Sequence, residues 1–180
     1  NDILSKFFQT GIYKVSEVIP TLSPSMDIQV ASNFERLLFE YLDFNSALVT
    51  EYMTNLNTHG SFKVSKEILH ELNKTFIGIS VNDEKTIERI RSCYSEKNIV
   101  IDPHTSIGLE AACSANLKGL NIVLSTAHPV KFSSAVNQAI DNTPRLPNKY
   151  KNIFTLKEKY QSMPNDINEI KNFISINSSL

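Results

Sequence analysis

Apolar residues in the first 75 positions recur at the spacing of an α-helix. The clearest face carries apolar side chains at positions 37, 38, 41 and 42, and Ser32 and Glu35 just before it have capping-box spacing. Helices are also predicted over about 1–10, 46–57 and 64–74. Pro20 and Pro24 bracket residues 21–27, which are predicted to form an ordered loop because proline fixes φ. The pattern predicts a helical segment over 1–75.

The pattern changes after residue 75. Short apolar runs alternate with helical segments, the runs lying at about 76–81, 99–101 and 120–125 and the helices at about 83–96, 105–117 and 132–141. Strands joined by helical crossovers are typical of a parallel sheet. The fold class predicted is α/β, an open parallel sheet with helical crossovers preceded by an α-helical block. Residues 76–145 form the αβ layer, and residues 146–180 form a tail with a terminal helix capped by Asp166.

Composition narrows the function classes. The chain has 180 residues, 41% hydrophobic and 21% charged, which is enough apolar material for about one domain. Its net charge of −1 argues against a nucleic-acid binder, which needs a basic face. The apolar stretches are far shorter than the roughly 20 residues that cross a bilayer. Cys93 and Cys113 lie outside a Cys-x-x-Cys spacing and favour a reducing compartment, so a cytoplasmic protein is expected.

The five glycines are isolated from one another, so the chain has neither a Gly-x-Gly fingerprint nor a phosphate-binding loop. Any nucleotide or phosphorylated-cofactor site is therefore predicted to be incomplete in this chain. The first residue is Asn1 rather than Met, and no signal-peptide pattern follows it. The chain is accordingly predicted to be a fragment of a longer protein.

Candidate chemistry is sought where the predicted strands end, because ligands of open α/β sheets bind there. Thr126 follows the third run, and its hydroxyl could bond a bound heterocycle; a turn or helix cap is the alternative. His128, before a proline, is either a buried imidazole bonded to backbone or an acid/base.

Asp102 and His104 follow the second run. They are two possible metal ligands without a third at a recognisable spacing, and Asp102 as a helix-start acceptor is the favoured alternative. A hydrolytic set of Ser125, His104 and Asp102 lacks the Gly-x-Ser-x-Gly elbow and is discounted. The remaining candidates are expected to be structural: Cys93 and Cys113 as small buried residues, His59 and His70 as loop and surface residues.

Four motifs make the sequence more specific. They are TLSPSMDI at 21–28, SNFERL at 32–37, DPHT at 102–105 and STAHPVKF at 125–132. In this order they resemble the carboxyl-terminal portion of the threonine synthase family, from Asn1 to about Ile176. The resemblance implies a pyridoxal-phosphate lyase that converts O-phospho-L-homoserine and water to L-threonine and phosphate, on the fold of the tryptophan synthase β subunit.

The resemblance also implies what this chain holds. Thr126 is the hydroxyl that bonds the pyridine nitrogen of the cofactor, and no catalytic or metal-binding residue is assigned. The Schiff-base lysine and the glycine-rich phosphate cup belong to an amino-terminal part, so the chain alone is expected to be inactive and not to bind pyridoxal 5'-phosphate. That missing part of the polypeptide is the expected partner. The segment 23–27 is expected to frame the mouth of the active site, and Ser23, Ser25, Asp27 and Asn33 have no assigned contact.

The residues alone leave a second function open. A free-standing α/β module that binds a small molecule or another protein, without catalysis, agrees equally well with the composition and the alternation of elements.

Overall fold

A computed structural model describes residues 1–178. The chain divides into two compact units, Asn1–Arg145 and a second that begins at Leu146. The helices and strands of the first unit are α1 (Ile3–Thr10), β1 (Ile12–Lys14), α2 (Phe34–Tyr41), α3 (Ser46–His59), β2 (Ser61–Lys63), α4 (Lys66–Thr75), α5 (Asp83–Lys97), α6 (Pro103–Ala115) and α7 (Ser133–Ile140). Single 3-10 turns lie at Pro24–Met26 and Pro129–Phe132.

A two-stranded sheet, absent from the sequence prediction, lies within the helical block. β1 and β2 are antiparallel, with Tyr13 opposite Phe62. Gly11 and Gly60 end the preceding helices with φ of 73° and 70°, a left-handed conformation that favours glycine. Each glycine therefore turns the chain from a helix directly into a strand.

Aromatic side chains form the core of the helical block. Phe7 is fully buried, with ring centroids 4.8 Å from Phe34 and 6.2 Å from Phe62. The Tyr13 ring stacks on Phe62 at 5.2 Å. Its buried hydroxyl donates to the carbonyl of Gln29 at 3.2 Å and accepts from the amide of Ala31 at 2.9 Å. Satisfying that phenol fixes the chain just after the 21–27 loop to the core.

A second core holds α5, α6 and α7 together. Ile90, Ile101 and Ala139 are its buried members, and Arg91 Nε donates to the carbonyl of Ala139 at 3.1 Å. Ser106 Oγ also donates to the carbonyl of Thr86 at 2.7 Å. These contacts fix the start of α6, where the DPHT motif lies.

The predicted capping box does not form. The side chain of Ser32 does not cap α2: Asn33 occupies the N-cap position in helical conformation with no side-chain cap. The amide of Phe34 instead donates to the carbonyl of Ala31 at 2.9 Å, so a backbone turn starts the helix. The helix prediction is confirmed, and the capping mechanism is wrong.

The predicted parallel pairing of 76–81, 99–101 and 120–125 is also wrong for this structure. Within residues 1–178, the one sheet is the β1–β2 pair, and the three runs have no strand assignment. Their close neighbours are helices: a Cβ on Gly78 would meet Phe8 of α1, and one on Gly108 of α6 would meet Val123. A ladder needs a neighbouring strand, and these runs pack against helices instead.

The second unit contains two 3-10 turns, Asn148–Tyr150 and Ile153–Thr155, and one helix, α8 (Ile167–Asn177). Asp166 caps α8, accepting from the amides of Asn168 at 2.8 Å and Glu169 at 3.1 Å, as its spacing predicts. Among residues 1–178, the helices are all too short or too polar to cross a membrane.

Candidate functional site

Asp102 organises the start of α6. It is fully buried and accepts hydrogen bonds from the amide of His104 at 2.9 Å, from His104 Nδ1 at 3.0 Å and from the hydroxyl of Thr105. The predicted role as helix-start acceptor is therefore confirmed. The neighbouring proline at the first helical position completes the cap, because it has no amide hydrogen to satisfy.

His104 connects the DPHT motif to two distant segments. Its Nε2 accepts from the amide of Ser25 at 3.2 Å, and its ring centroid lies 4.5 Å from that of Phe132. An acceptor at Nε2 leaves the proton on Nδ1, which donates to Asp102. Three of the motifs quoted above therefore meet at this one side chain. Sequence reasoning missed this contact because Ser25 and His104 are 79 positions apart.

The same bonds occupy the atoms that a metal would need. Asp102 and His104 are bonded to each other and to the backbone, and no cluster of three or more potential metal ligands occurs among residues 1–178. The discounted hydrolytic set does not form either, because His104 Nε2, which would have to accept from the Ser125 hydroxyl, accepts from the amide of Ser25.

Asp27 closes the 21–27 loop on itself. Its carboxylate accepts from the amide of Thr21 at 2.8 Å, from the Thr21 hydroxyl at 2.7 Å and from the side-chain amide of Asn1. Burial raises the pKa of Asp27, but these hydrogen bonds outweigh burial and lower the pKa below its usual value. Both oxygens of Asp27 are therefore engaged within the chain.

The other residues without a predicted contact are bonded differently. Ser23 is buried, with its hydroxyl 3.1 Å from that of Thr21, whereas Ser25 is exposed and contributes its backbone amide. Asn33 is exposed and accepts from the guanidinium of Arg36. The Ser23 contact lies within the loop, whereas the Ser25 amide joins the loop to His104 of α6. Asn33 remains at the surface.

A groove of about 480 Å³, with both polar and apolar side chains in its walls, lies beside this loop. Its walls come from the loop on one side and from residues 79–83, after the first predicted strand, on the other. Thr21, Ser23 and Asp27 line the first wall, and Ser80 and Asn82 line the second. Polar side chains on both walls can bind a small polar ligand.

Thr126 lies in an exposed stretch and does not cap the helix that follows. His128 occupies the cap position instead, and its Nδ1 accepts from the amide of Val130 at 3.2 Å. His128 is bonded to backbone as one of its two interpretations predicted, although it is exposed rather than buried, because the 3-10 turn holds it at the surface. The cap alternative for Thr126 is therefore removed, and its side chain is exposed.

Cys93 and Cys113 were both predicted to be buried, but the two side chains differ in their exposure. Cys93 is half-buried, and burial raises the pKa of its thiol. Cys113 is exposed, so its prediction was wrong: it lies beyond the buried start of α6, on the last turn of the helix. His70 is exposed, as predicted; His59 is exposed too, but it ends α3 instead of lying in a loop, because the helix continues up to its C-cap, Gly60.

Comparisons with known proteins agree along the chain. The family described as "Threonine synthase, C-terminal" matches residues 105–174. A relative named threonine synthase from Pseudomonas aeruginosa is 39% identical over 97% of the chain, and one from Saccharomyces cerevisiae is 37% identical over 97%. The chain spans 38% and 39% of the lengths of these two relatives.

A solved structure gives the same result for the fold. The crystal structure of PLP-bound threonine synthase from Brucella melitensis superposes on 96% of this chain with a TM-score of 0.83 and 34% identity, and the chain covers 38% of it. The α/β fold class is thereby confirmed, although the predicted pairing of its strands is not. Sequence motifs, family match and fold agree, and the chain belongs to the threonine synthase family, whose carboxyl-terminal portion it matches.

Proposed function

We propose that this chain is the carboxyl-terminal part of a threonine synthase. The complete protein would be a pyridoxal-phosphate-dependent lyase that converts O-phospho-L-homoserine and water to L-threonine and phosphate. The observation that carries the proposal is the match of 97% of the chain, at 39% identity, to the Pseudomonas aeruginosa relative of that name. The half-buried and exposed thiols, both free, agree with a cytoplasmic enzyme.

Thr126 is the residue we assign to the cofactor. Pyridoxal 5'-phosphate, when bound, supplies an electron sink for carbanions at the substrate's Cα. Thr126 is exposed, follows the apolar run at 120–125, and does not cap the turn that comes next. These observations support a hydroxyl that is available to the pyridine nitrogen. A neutral hydroxyl, unlike a carboxylate, favours an unprotonated ring nitrogen and so moderates the electron sink.

The residues that complete the site would lie in the rest of the protein. The relatives are more than twice as long as this chain, and the chain itself contains no glycine-rich phosphate loop. Lys131 is the lysine nearest in sequence to Thr126, and its ammonium lies 5.9 Å from the Phe132 ring centroid. We therefore propose that the Schiff-base lysine and the phosphate cup are supplied from outside residues 1–180, and that this chain alone is inactive.

Exposed apolar side chains support a covering partner. Leu120, Ile122 and Leu124 occupy every second position of the 120–125 run and are 92%, 83% and 75% exposed. Alternation with period two is the pattern of a strand with one apolar face, and such a face is stable when another layer covers it. The remaining part of the same polypeptide is the partner we propose for this face.

The test uses the complete protein that contains this segment. Purified protein is given O-phospho-L-homoserine with and without added pyridoxal 5'-phosphate, and released phosphate and threonine are measured. We expect both products in equal amounts, and only when the cofactor is present. Phosphate release without threonine, or neither product from folded protein loaded with cofactor, contradicts the proposal.

The Thr126 assignment has its own variants. Thr126→Val removes one neutral hydrogen bond, worth about 0.5–1.5 kcal/mol. The dissociation constant of the cofactor should therefore rise by roughly threefold to tenfold. Thr126→Ser keeps the hydroxyl and serves as the matched control. Equal cofactor affinity in all three proteins, at unchanged thermal midpoints, would remove Thr126 from the site without affecting the assignment of the reaction.

A further inference from the structure

His104 lies where three segments of the first unit meet. Its side chain is only 7% exposed, although it belongs to the first turn of α6. Asp102 contacts Nδ1 at 3.0 Å, the amide of Ser25 contacts Nε2 at 3.2 Å, and the ring of Phe132 packs on it at 4.5 Å. Both ring nitrogens and one ring face are therefore engaged within the protein.

This arrangement determines what His104 can do. The backbone amide of Ser25 is a donor only, so Nε2 must offer its lone pair and the proton must remain on Nδ1. A ring whose two nitrogens are both bonded within the protein has no atom free to exchange a proton with a substrate. The imidazole is accordingly unsuited to acid/base catalysis and suited to holding the segments that it contacts.

The segments that it holds belong to the candidate site. Ser25 lies in the 21–27 loop, which forms one wall of the groove described above. Phe132 ends the 3-10 turn that follows Thr126 by three residues. Asp27 closes the loop on itself, whereas His104 ties the loop to α6. Without His104, the loop would keep its internal bonds and lose this link to the Thr126 side.

We propose that His104 is a positioning residue for substrate, held in its Nδ1-protonated form by Asp102, that sets the distance between the 21–27 loop and the segment carrying Thr126. This inference rests on the proposed function. On the proposed function the groove beside the loop binds the amino-acid substrate, so weaker positioning should raise the KM for that substrate. The chemical step uses groups elsewhere, so kcat should change little.

The first test does not depend on the reaction. In the complete protein, amide hydrogen exchange is measured by mass spectrometry for the peptide that contains Ser25. His104→Phe keeps a ring against Phe132 and removes the acceptor, and exchange should accelerate by about threefold to tenfold, the loss of one net hydrogen bond. His104→Gln places an amide oxygen near the Nε2 position and should restore slow exchange. His70→Phe, at an exposed site on α4, is the matched control and should change nothing.

The second test separates KM from kcat. For His104→Phe we expect KM for O-phospho-L-homoserine to rise by about threefold to tenfold with kcat within about twofold of the parent, and the glutamine variant should recover most of the KM. Unchanged exchange at Ser25 in the phenylalanine variant overturns the tie itself. A fall in kcat at unchanged KM overturns the positioning role.

The two tests also separate this inference from the proposed function. If the parent protein makes no threonine, the proposed function fails, and the exchange experiment still decides whether His104 holds the loop. If His104→Phe does not fold, His104→Gln decides: rapid exchange at Ser25 in the folded glutamine variant contradicts the inference.

Discussion

Arg89 of α5 donates from Nε and Nη2 to a single oxygen of Glu110 in α6, at 3.0 and 2.6 Å. The hydrogen bond from Arg89 lowers the pKa of Glu110, although burial opposes that change. The ammonium of Lys85 lies 3.7 Å from the other carboxylate oxygen. This pair joins the two helices whose contact positions the DPHT motif.

Removing the pair should destabilise the first unit in a pH-dependent way. Glu110→Gln is expected to lower the free energy of unfolding by about 1 kcal/mol at pH 7, because the pair is partly buried. Because the pKa of Glu110 is lower in the folded state, its charge stabilises the folded state fully above the unfolded pKa of about 4.3. That contribution is lost as pH falls through the lower, folded-state pKa. The deficit of the variant should therefore shrink as pH falls below about 4.3 and vanish below the folded-state pKa of Glu110.

Urea unfolding of the parent and the variant, as complete proteins, at pH 7 and at a series of lower pH values measures this difference in the free energy of unfolding. Glu71→Gln removes an exposed pair with Lys74 and serves as the control, with a smaller expected change because solvent screens the pair. Equal effects of the two variants at pH 7 would contradict the role of the Arg89 pair.

Gly108 should not accept a large side chain. A Cβ at this position would lie 3.0 Å from Cγ1 of Val123, closer than ordinary contact. Gly108→Leu is expected to cost about 1–3 kcal/mol by displacing the 120–125 run from α6. Cys113→Leu, at an exposed position on the same helix, is the control and should cost less than about 0.5 kcal/mol. Similar thermal midpoints for both variants would show that the run does not pack on α6.

A carboxylate at position 126 should change the reaction's outcome rather than its occurrence. Thr126→Asp would favour a protonated pyridine nitrogen and a stronger electron sink, so side reactions such as transamination should increase relative to threonine formation. Product analysis by mass spectrometry measures the ratio. Ser125→Asp adds the same charge at the exposed neighbour and should leave the ratio unchanged; the same shift in both variants would point to general charge instead of contact.

Protonation of Asp27 at acidic pH should break the hydrogen bonds that hold the 21–27 loop together. The lowered pKa of Asp27 means that its contribution is complete above the unfolded value of about 3.9 and is lost as pH falls below that value. At pH 7, Asp27→Asn should lower the protection of the loop amides, taken relative to the intrinsic exchange rate at each pH, to the level that the parent reaches once pH falls below the folded-state pKa of Asp27. Asp43→Asn, at an exposed turn, is the control. Slow loop exchange in Asp27→Asn would show that the carboxylate charge is not needed.

Local signals made the helices predictable. Asn82 accepts from the amide of Lys85 at 2.9 Å, and Asp102 and Asp166 cap their helices likewise, because a cap depends on residues two or three positions away. β1 and β2 were not predictable, since three residues are too few to distinguish alternation from chance and their pairing joins positions about 50 apart.

The candidate site divides in the same way. The acceptor role of Asp102 was readable from its place before Pro103, a local relationship. The bond from the Ser25 amide to His104 depends on how two distant segments pack, and neither neighbourhood in the sequence signals it. The buried state of Ser23 and the exposure of Cys113 are likewise properties of packing and not of spacing.

The alternating run at Leu120, Ile122 and Leu124 also determines how the chain would behave when made by itself. A segment that has no helix or strand assignment and exposes three large apolar side chains is one on which identical segments can stack. Concentrated preparations of residues 1–180 alone should therefore form β-rich aggregates nucleated at this run. A lysine in place of Ile122 would act as a gatekeeper against that aggregation.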